Sequence, residues 1–393
     1  MFVDDEPQVL KGITRMLDCA DVMWDVETAT SGPEALEVLQ KEPVDVLVVD
    51  MKMPGMDGAE LLAEVSQRYP QTVRIILSGQ ASKESVYRAV APMHQYLAKP
   101  CETDVLRTTI SRACALRAHL EKTTSQAFLG RISLLPSIPS LYQQVVAETE
   151  SEQGTAARVG EIVARDPAMT AKILQLVNSA IFGLRSTVTS VAHAVSIIGT
   201  DTLNSLVLSL QAFQAFAGIR VPGFSMDVFA SHCVRVGTIA RTIAASERLG
   251  KILVDEAFSA GLLHDIGKLI LASNAPEDFS AALRTAETSG IPLVEAERKL
   301  FGLGHDGIGG YLLALWGIPQ TVVESVTFHH SFQQCGGRSL DTPAIVCVAN
   351  FLANEENGIV SAEDTRLCEA LLSELRLPDR LDVWRNAIRG ENK

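Results

Sequence analysis

The sequence predicts a doubly wound α/β domain followed by an all-helical bundle, and three observations carry that prediction. Short β-branched runs, Val44–Val49 and Val73–Leu77, are bounded by turn signals and separated by helical patterns, as buried parallel strands are. From Ser140 onward no alternating strand pattern appears, only helical patterns broken by Gly, Pro and Asp. The 393-residue length exceeds one ordinary core, and 47% hydrophobic with 21% charged residues describes well-packed domains rather than a disordered chain.

In the first domain, Ser31-Gly-Pro-Glu34 reads as a capping box opening one helix, Gly58–Arg68 forms a second and Lys83–Val90 a third. Alternation of strand and helix places the ligand crevice at the carboxyl ends of the strands. Asp50, Ser78 and Lys99 each close or follow an apolar strand, while Asp4 and Asp5 follow Phe2-Val3. Three carboxylates, a hydroxyl and an ammonium therefore converge on one edge. Such a set suits Mg²⁺ and could neutralise a phosphoryl group placed on one carboxylate. Strand ends often carry polar residues for no functional reason, but five together are a poor fit to that account.

After Pro100, the residues Val105, Leu106, Ile110, Ala113, Leu116 and Leu120 recur at helical spacing, with no Gly or Pro before Gly130. This predicts one long connecting helix that first packs on the sheet and then projects from Arg117 to Phe128 as a stiff arm. A homodimer built on such arms needs an apolar seam, and Arg117 falls on it. Pro136 and Pro139 mark entry to the second domain. Its helices are expected over Ala168–Ser179, Asp201–Ala217, Met226–Leu249, Asp255–Ser273, His305–Trp316, Pro319–His329 and Pro343–Asn354, with two more over Ala362–Leu375 and Leu381–Arg389. The G-x-G-x-x-G match at Gly302–Gly307 follows a helix rather than a strand and is accidental.

The stretch Gly261–Leu269 sets His264, Asp265 and Lys268 inside an otherwise apolar helix, where all three can face one interior space. A buried carboxylate costs several kcal/mol (about the penalty of an unpaired ion) unless it is paired or bound to metal. His232, His305, His329 and His330 lie on or at the ends of other helices, which is how a bundle assembles a polyhistidine metal centre. The competing account is a buried polar network that holds the helices in register without an ion. His193 stands alone and reads as structural.

The net charge of −13 argues against a general nucleic-acid or anionic-membrane binder, and no basic stripe or clear recognition helix points to DNA. Seven cysteines without a C-x-x-C pair read as reduced thiols of a cytoplasmic protein. The first residues show no basic-then-apolar signal segment, and Thr202–Ile219, though uncharged, carries enough Asn, Ser and Gln to read as a buried bundle helix rather than a membrane span.

Phe2-Val-Asp-Asp-Glu-Pro7, Val48-Val-Asp-Met-Lys-Met-Pro-Gly-Met-Asp-Gly58 and Tyr96-Leu-Ala-Lys-Pro100 resemble a response-regulator receiver domain over about residues 1–120. The resemblance implies a flavodoxin-like, five-stranded parallel sheet and makes Asp50 the phospho-acceptor for a cognate histidine kinase. It implies Mg²⁺ held by Asp5, Asp50 and the Lys52 carbonyl with Asp4 in support, and it makes Ser78, Tyr96 and Lys99 the switch residues. Receivers carry several apolar residues before the acidic pair, whereas here only Met1, Phe2 and Val3 precede it. The expectation is therefore a start upstream of Met1.

Leu262-Leu-His-Asp-Ile-Gly-Lys268, Asp166–Gly183 and Leu312-Leu-Ala-Leu-Trp-Gly-Ile-Pro319 resemble an HDOD domain, related to HD phosphohydrolases and HD-GYP phosphodiesterases. The implied organisation is a receiver over 1–120, a connecting helix over 104–135, an HDOD domain over 136–354 and a helical extension over 355–393. The implied role is a non-catalytic output module acting on downstream signalling proteins, with chemistry confined to the receiver. The alternative is a phosphorylation-regulated, metal-dependent phosphohydrolase or cyclic-dinucleotide phosphodiesterase with Fe, Mn or Zn at His232, His264, Asp265, His305, His329 and His330, and Lys268 at the scissile phosphate. Asn350 stands where those enzymes have a ligand Asp, and a neutral amide weakens a divalent site.

Overall fold

The computed structural model describes residues 1–18, 24–79, 92–123, 148, 155–178, 187–198, 221–331 and 339–389. The expected helices over Lys83–Val90 and Asp201–Ala217 and the end of the connector toward Phe128, on which a homodimer arm would rest, lie outside them.

The N-terminal domain runs β1 (Phe2–Val3), α1 (Pro7–Asp18), β2 (Thr28–Ala29), α2 (Gly32–Lys41), β3 (Val46–Val49), α3 (Gly58–Arg68), β4 (Val73–Ser78) and β5 (Gln95–Ala98). The five strands are parallel in the order β2-β1-β3-β4-β5. β3 and β4 are buried throughout, which is why they read as unbroken apolar runs. Although β1 has two residues, it is a central strand, and Met1 adds to its ladder by accepting from Val48 N at 2.9 Å.

Register decides which polar residues meet. Val3 lies opposite Val49, so Asp4 and Asp50 leave the sheet side by side. Ser78 lies opposite Ala98, which sets Lys99 beside Ser78 through an Lys99 N to Ser78 O bond of 2.9 Å.

The cap of α2 differs from the expected box. Ser31 Oγ accepts from Glu34 N at 3.4 Å, but the Glu34 carboxylate turns back to Thr30, accepting from its N and Oγ1 at 2.6 Å each. In this domain a complete capping box opens α3, where Asp57 accepts from Glu60 N at 2.9 Å and Asp57 N donates to the Glu60 carboxylate at 3.1 Å.

A helix, α4 (Thr103–Thr123), leaves the sheet domain. The helical domain follows with α5 (Ala156–Val163), α6 (Pro167–Asn178), α7 (Val191–Ile198), α8 (Met226–Ser246), α9 (Lys251–Leu263), α10 (Ile266–Asn274), α11 (Pro276–Ser289) and α12 (Leu293–Phe301). It ends with α13 (His305–Leu315), α14 (Gln320–Phe328), α15 (Thr342–Glu356), α16 (Ala362–Glu374) and α17 (Arg380–Ile388). Asp166 caps α6 from within the core, accepting from Ala168 N at 2.9 Å and Met169 N at 3.1 Å. The last two helices belong to the core: Trp384 is fully buried and donates its indole N–H to Glu247 at 2.8 Å. None of the described helices is long and apolar enough to cross a membrane.

The single helix expected over Asp255–Ser273 is two. The chain breaks at His264-Asp265 because the His264 ring donates Nδ1–H to Gly261 O at 2.7 Å, taking the carbonyl that the next helical amide would bond. Asp265 leaves helical geometry at φ −97°, ψ 11°.

The two domains touch. Leu315 and Tyr311 of α13 pack with Leu97 of β5 and with Leu106 and Ile110 of α4 in one apolar cluster.

Candidate functional site

At the carboxyl edge of the sheet, the Lys99 ammonium bonds both Asp4 and Asp50, the latter at 2.7 Å. Asp4 and Asp50 are buried, and their other oxygens accept backbone amides from Glu6 at 2.9 Å and Lys52 at 2.6 Å. Burial works against the Lys99 cation, but bonds to the two carboxylates raise its pKa above the ordinary lysine value. Tyr96 is buried, and burial raises its phenol pKa. Asp5 stands at the same edge and is exposed.

The second site is built from residues between His232 and His330. His232 comes from α8, His264 and Asp265 from the α9–α10 break, His305 from the first position of α13, and His329 and His330 from the end of α14. Glycines let these helices close in. A Cβ on Gly261 would lie 2.8 Å from Gly237 Cα, so α8 and α9 cross backbone to backbone. A Cβ on Gly267 would lie 1.9 Å from His305 O, so α10 and α13 do the same.

Asp265 is the hub. Its Oδ2 accepts from Lys268 Nζ at 2.6 Å and lies 3.4 Å from His264 Nε2 and 3.6 Å from His232 Nε2. Its Oδ1 lies 3.2 Å from His305 Nε2 and 3.4 Å from His329 Nε2. His330 joins through His305, Nε2 to Nε2 at 3.0 Å. Two sets of possible ligand atoms, Asp265-His305-His329-His330 and His232-His264-Asp265, each fall within 4.8 Å and share Asp265.

Tautomers follow from the outer partners. His264 and His329 each commit Nδ1–H to a main-chain carbonyl, Gly261 O and Val326 O, at 2.7 Å. His305 Nδ1–H donates to Glu297 at 2.5 Å. Each therefore turns Nε2 to the centre, the arrangement of metal-binding histidines. Asp265 Oδ1 and His329 Nε2 are buried without a hydrogen-bond partner, as ligand atoms facing an ion would be. Burial opposes the Asp265 charge, but His264 and Lys268 hold its carboxyl well below the usual range. Burial drives His264 and His330 well down, whereas Glu297 and Asp265 outweigh burial at His305 and push it up to about 9.

A family model described as the HDOD domain matches residues 135–332. The chain belongs to the HDOD family. A response regulator receiver domain matches residues 1–111. Among solved structures, the MmoQ response regulator of Methylococcus capsulatus str. Bath is similar at 25% identity and TM-score 0.51, covering 65% of this chain and 98% of that one. An uncharacterized protein of Treponema pallidum (strain Nichols) is 23% identical over 257 residues, 65% of this chain and 48% of its own length. The hydrogenase transcriptional regulatory protein HoxA of Cupriavidus necator is 37% identical over 115 residues, 29% of this chain and 23% of its own length. The chain thus spans half or less of these curated relatives. Its architecture is that of a response regulator with an HDOD output domain.

Of the HDOD residues singled out from sequence, the five histidines gather around the Asp265 carboxylate in two sets, with Lys268 beside them. Asn350, on α15, accepts from Asn354 at 3.2 Å and lines with His329 and His330 a cleft of about 490 Å³. Sequence reasoning missed Glu297, which is fully buried and orients His305 through both its ring and its amide. The signal was present: Glu297 sits on the apolar stripe of α12 with Val294 and Phe301, at helical spacing.

Proposed function

We propose that phosphorylation of Asp50 by a cognate histidine kinase in the cytoplasm shifts a non-catalytic HDOD output that acts on downstream signalling proteins. The supporting observation is Lys99, whose one ammonium serves both Asp4 and Asp50. Two buried carboxylates sharing one cation, with Asp5 alongside, leave the pocket net negative and suited to Mg²⁺ held by Asp5, Asp50 and the Lys52 carbonyl. A phosphoryl group adds nearly two negative charges there and must redistribute the bonds of Lys99, Ser78 and Tyr96. Coupling of this kind is worth about 1–3 kcal/mol, roughly 5- to 150-fold in partner affinity. Acetyl phosphate with Mg²⁺ is expected to label the wild type and not Asp50→Ala; persistent label in the variant would remove Asp50 from this role.

The inward Nε2 atoms and the unpartnered Asp265 Oδ1 favour a second reading in which the HDOD site holds Fe, Mn or Zn. Asp265, His305, His329 and His330 would hold an ion, with His232 and His264 on the side already bonded by Lys268. A bound ion would supply Lewis acidity toward a phosphoryl oxygen or water. Asn350 leaves the site one carboxylate short of its hydrolytic relatives, so binding is expected without turnover. Protein purified without chelators is expected to carry metal that His264→Ala and Asp265→Ala lose. Turnover of a cyclic dinucleotide after Mn²⁺ or Fe²⁺ loading would overturn the non-catalytic output.

A further inference from the structure

β5 is engaged at both ends. Beyond its carboxyl end, Lys99 bonds Asp50 at 2.7 Å. At its start, the Gln95 side chain donates to Leu315 O at 2.8 Å, filling one of the open carbonyls at the end of α13. Just before β5, His94 O accepts from Gln175 of α6 at 2.5 Å. Four strand residues separate these attachments, about 13 Å at the usual rise. α13 is a second lever: its last residue is held by Gln95, and its first is His305, 3.2 Å from Asp265.

The contact also buries basic groups. Arg74, His94 and Lys172 are all buried, with Lys172 Nζ donating to Gln175 at 2.9 Å and lying 3.9 Å over the Trp316 ring. Arg74 donates Nε–H to Pro92 O at 2.6 Å and its charge faces Tyr311. Burial, with Arg74 nearby, pushes Lys172 down to about 7. Burying the Arg74 guanidinium beside the Lys172 amine opposes docking, while Leu315 and Tyr311 favour it through apolar burial. Opposing contributions of this size suit an interface that releases rather than one made to be permanent.

We propose that Gln95 and Gln175 form a latch that docks the receiver edge on α13 and α6, and that phosphoryl transfer to Asp50 releases it through β5, freeing the helix that carries His305. The release step rests on the proposed phosphorylation of Asp50; the latch itself does not.

Hydrogen exchange of the full chain tests both. In the unphosphorylated wild type, amides of 93–98 and 311–317 are protected, and Gln95→Ala/Gln175→Ala is expected to speed their exchange roughly 10- to 100-fold, leaving 58–68 and 342–356 unchanged. Acetyl phosphate with Mg²⁺ is expected to bring the wild type to the level of the double variant and to add nothing further there. Unchanged exchange in the double variant would overturn the latch. Label on Asp50 without faster exchange in the wild type would overturn the release. Absence of label would instead sink the phosphorylation reading, with the release step, and the double variant would still decide the latch.

Discussion

Asp265→Asn is expected to destabilise the metal-free protein by about 3–5 kcal/mol, the usual cost of removing one partner of a buried ion pair. The carboxylate is 1% exposed, accepts from Lys268 at 2.6 Å and faces His305 at 3.2 Å. Asparagine keeps the shape and loses the charge, so Lys268 and the His305 ring lose the carboxylate that offsets them. Lys268→Met alone also destabilises by leaving the carboxylate short of its cation. The double variant should recover part of the loss, because a neutral pair no longer suffers the burial of one unmatched charge. Urea unfolding reads the effect as a lower midpoint at unchanged slope. Arg68→Ala is the control: its partner Glu64 is 42% exposed, and the pair is worth at most about 1 kcal/mol. A change below that size at Asp265 would mean the carboxylate is not the hub of the cluster.

The parts of this molecule that were legible in sequence are those decided by local chemistry. Helix α3 runs from Gly58 to Arg68 as its pattern predicts, and Asp50, Ser78 and Lys99 end or follow their strands at one edge. Sequence placed His232, His264, Asp265, His305, His329 and His330 on different helices, and the structure gathers them. What escaped was set by partners distant in sequence. The break at His264 depends on a ring-to-carbonyl bond that propensity does not register. Glu34 chose Thr30 over its expected cap, a competition between two nearby donors. Arg74 inside an apolar strand and Lys172 inside an apolar helix were signs of burial against another domain. Which residues they would meet there depends on contacts across about a hundred positions, and no periodicity encodes those.

Gly267→Ala is expected to cost more than the roughly 1–3 kcal/mol of ordinary overpacking. The added Cβ would lie 1.9 Å from His305 O and 2.7 Å from its carbonyl carbon, both main-chain atoms that cannot swing aside. Gly309 makes a looser approach from the α13 side, where a Cβ would meet Gly267 N at 3.0 Å. Relief requires α10 and α13 to part by roughly 1.5 Å to restore van der Waals contact. That shift carries His305 away from Asp265 and Glu297 with it. Gly12→Ala makes the same chemical change in α1 where nothing lies within 4 Å, and there alanine should stabilise by about 0.4–1 kcal/mol. The two variants should therefore move the unfolding midpoint in opposite directions. Only Gly267→Ala should also reduce metal retained at the HDOD site. If Gly267→Ala were as benign as Gly12→Ala, the close crossing that brings His305 to Asp265 would not exist in solution.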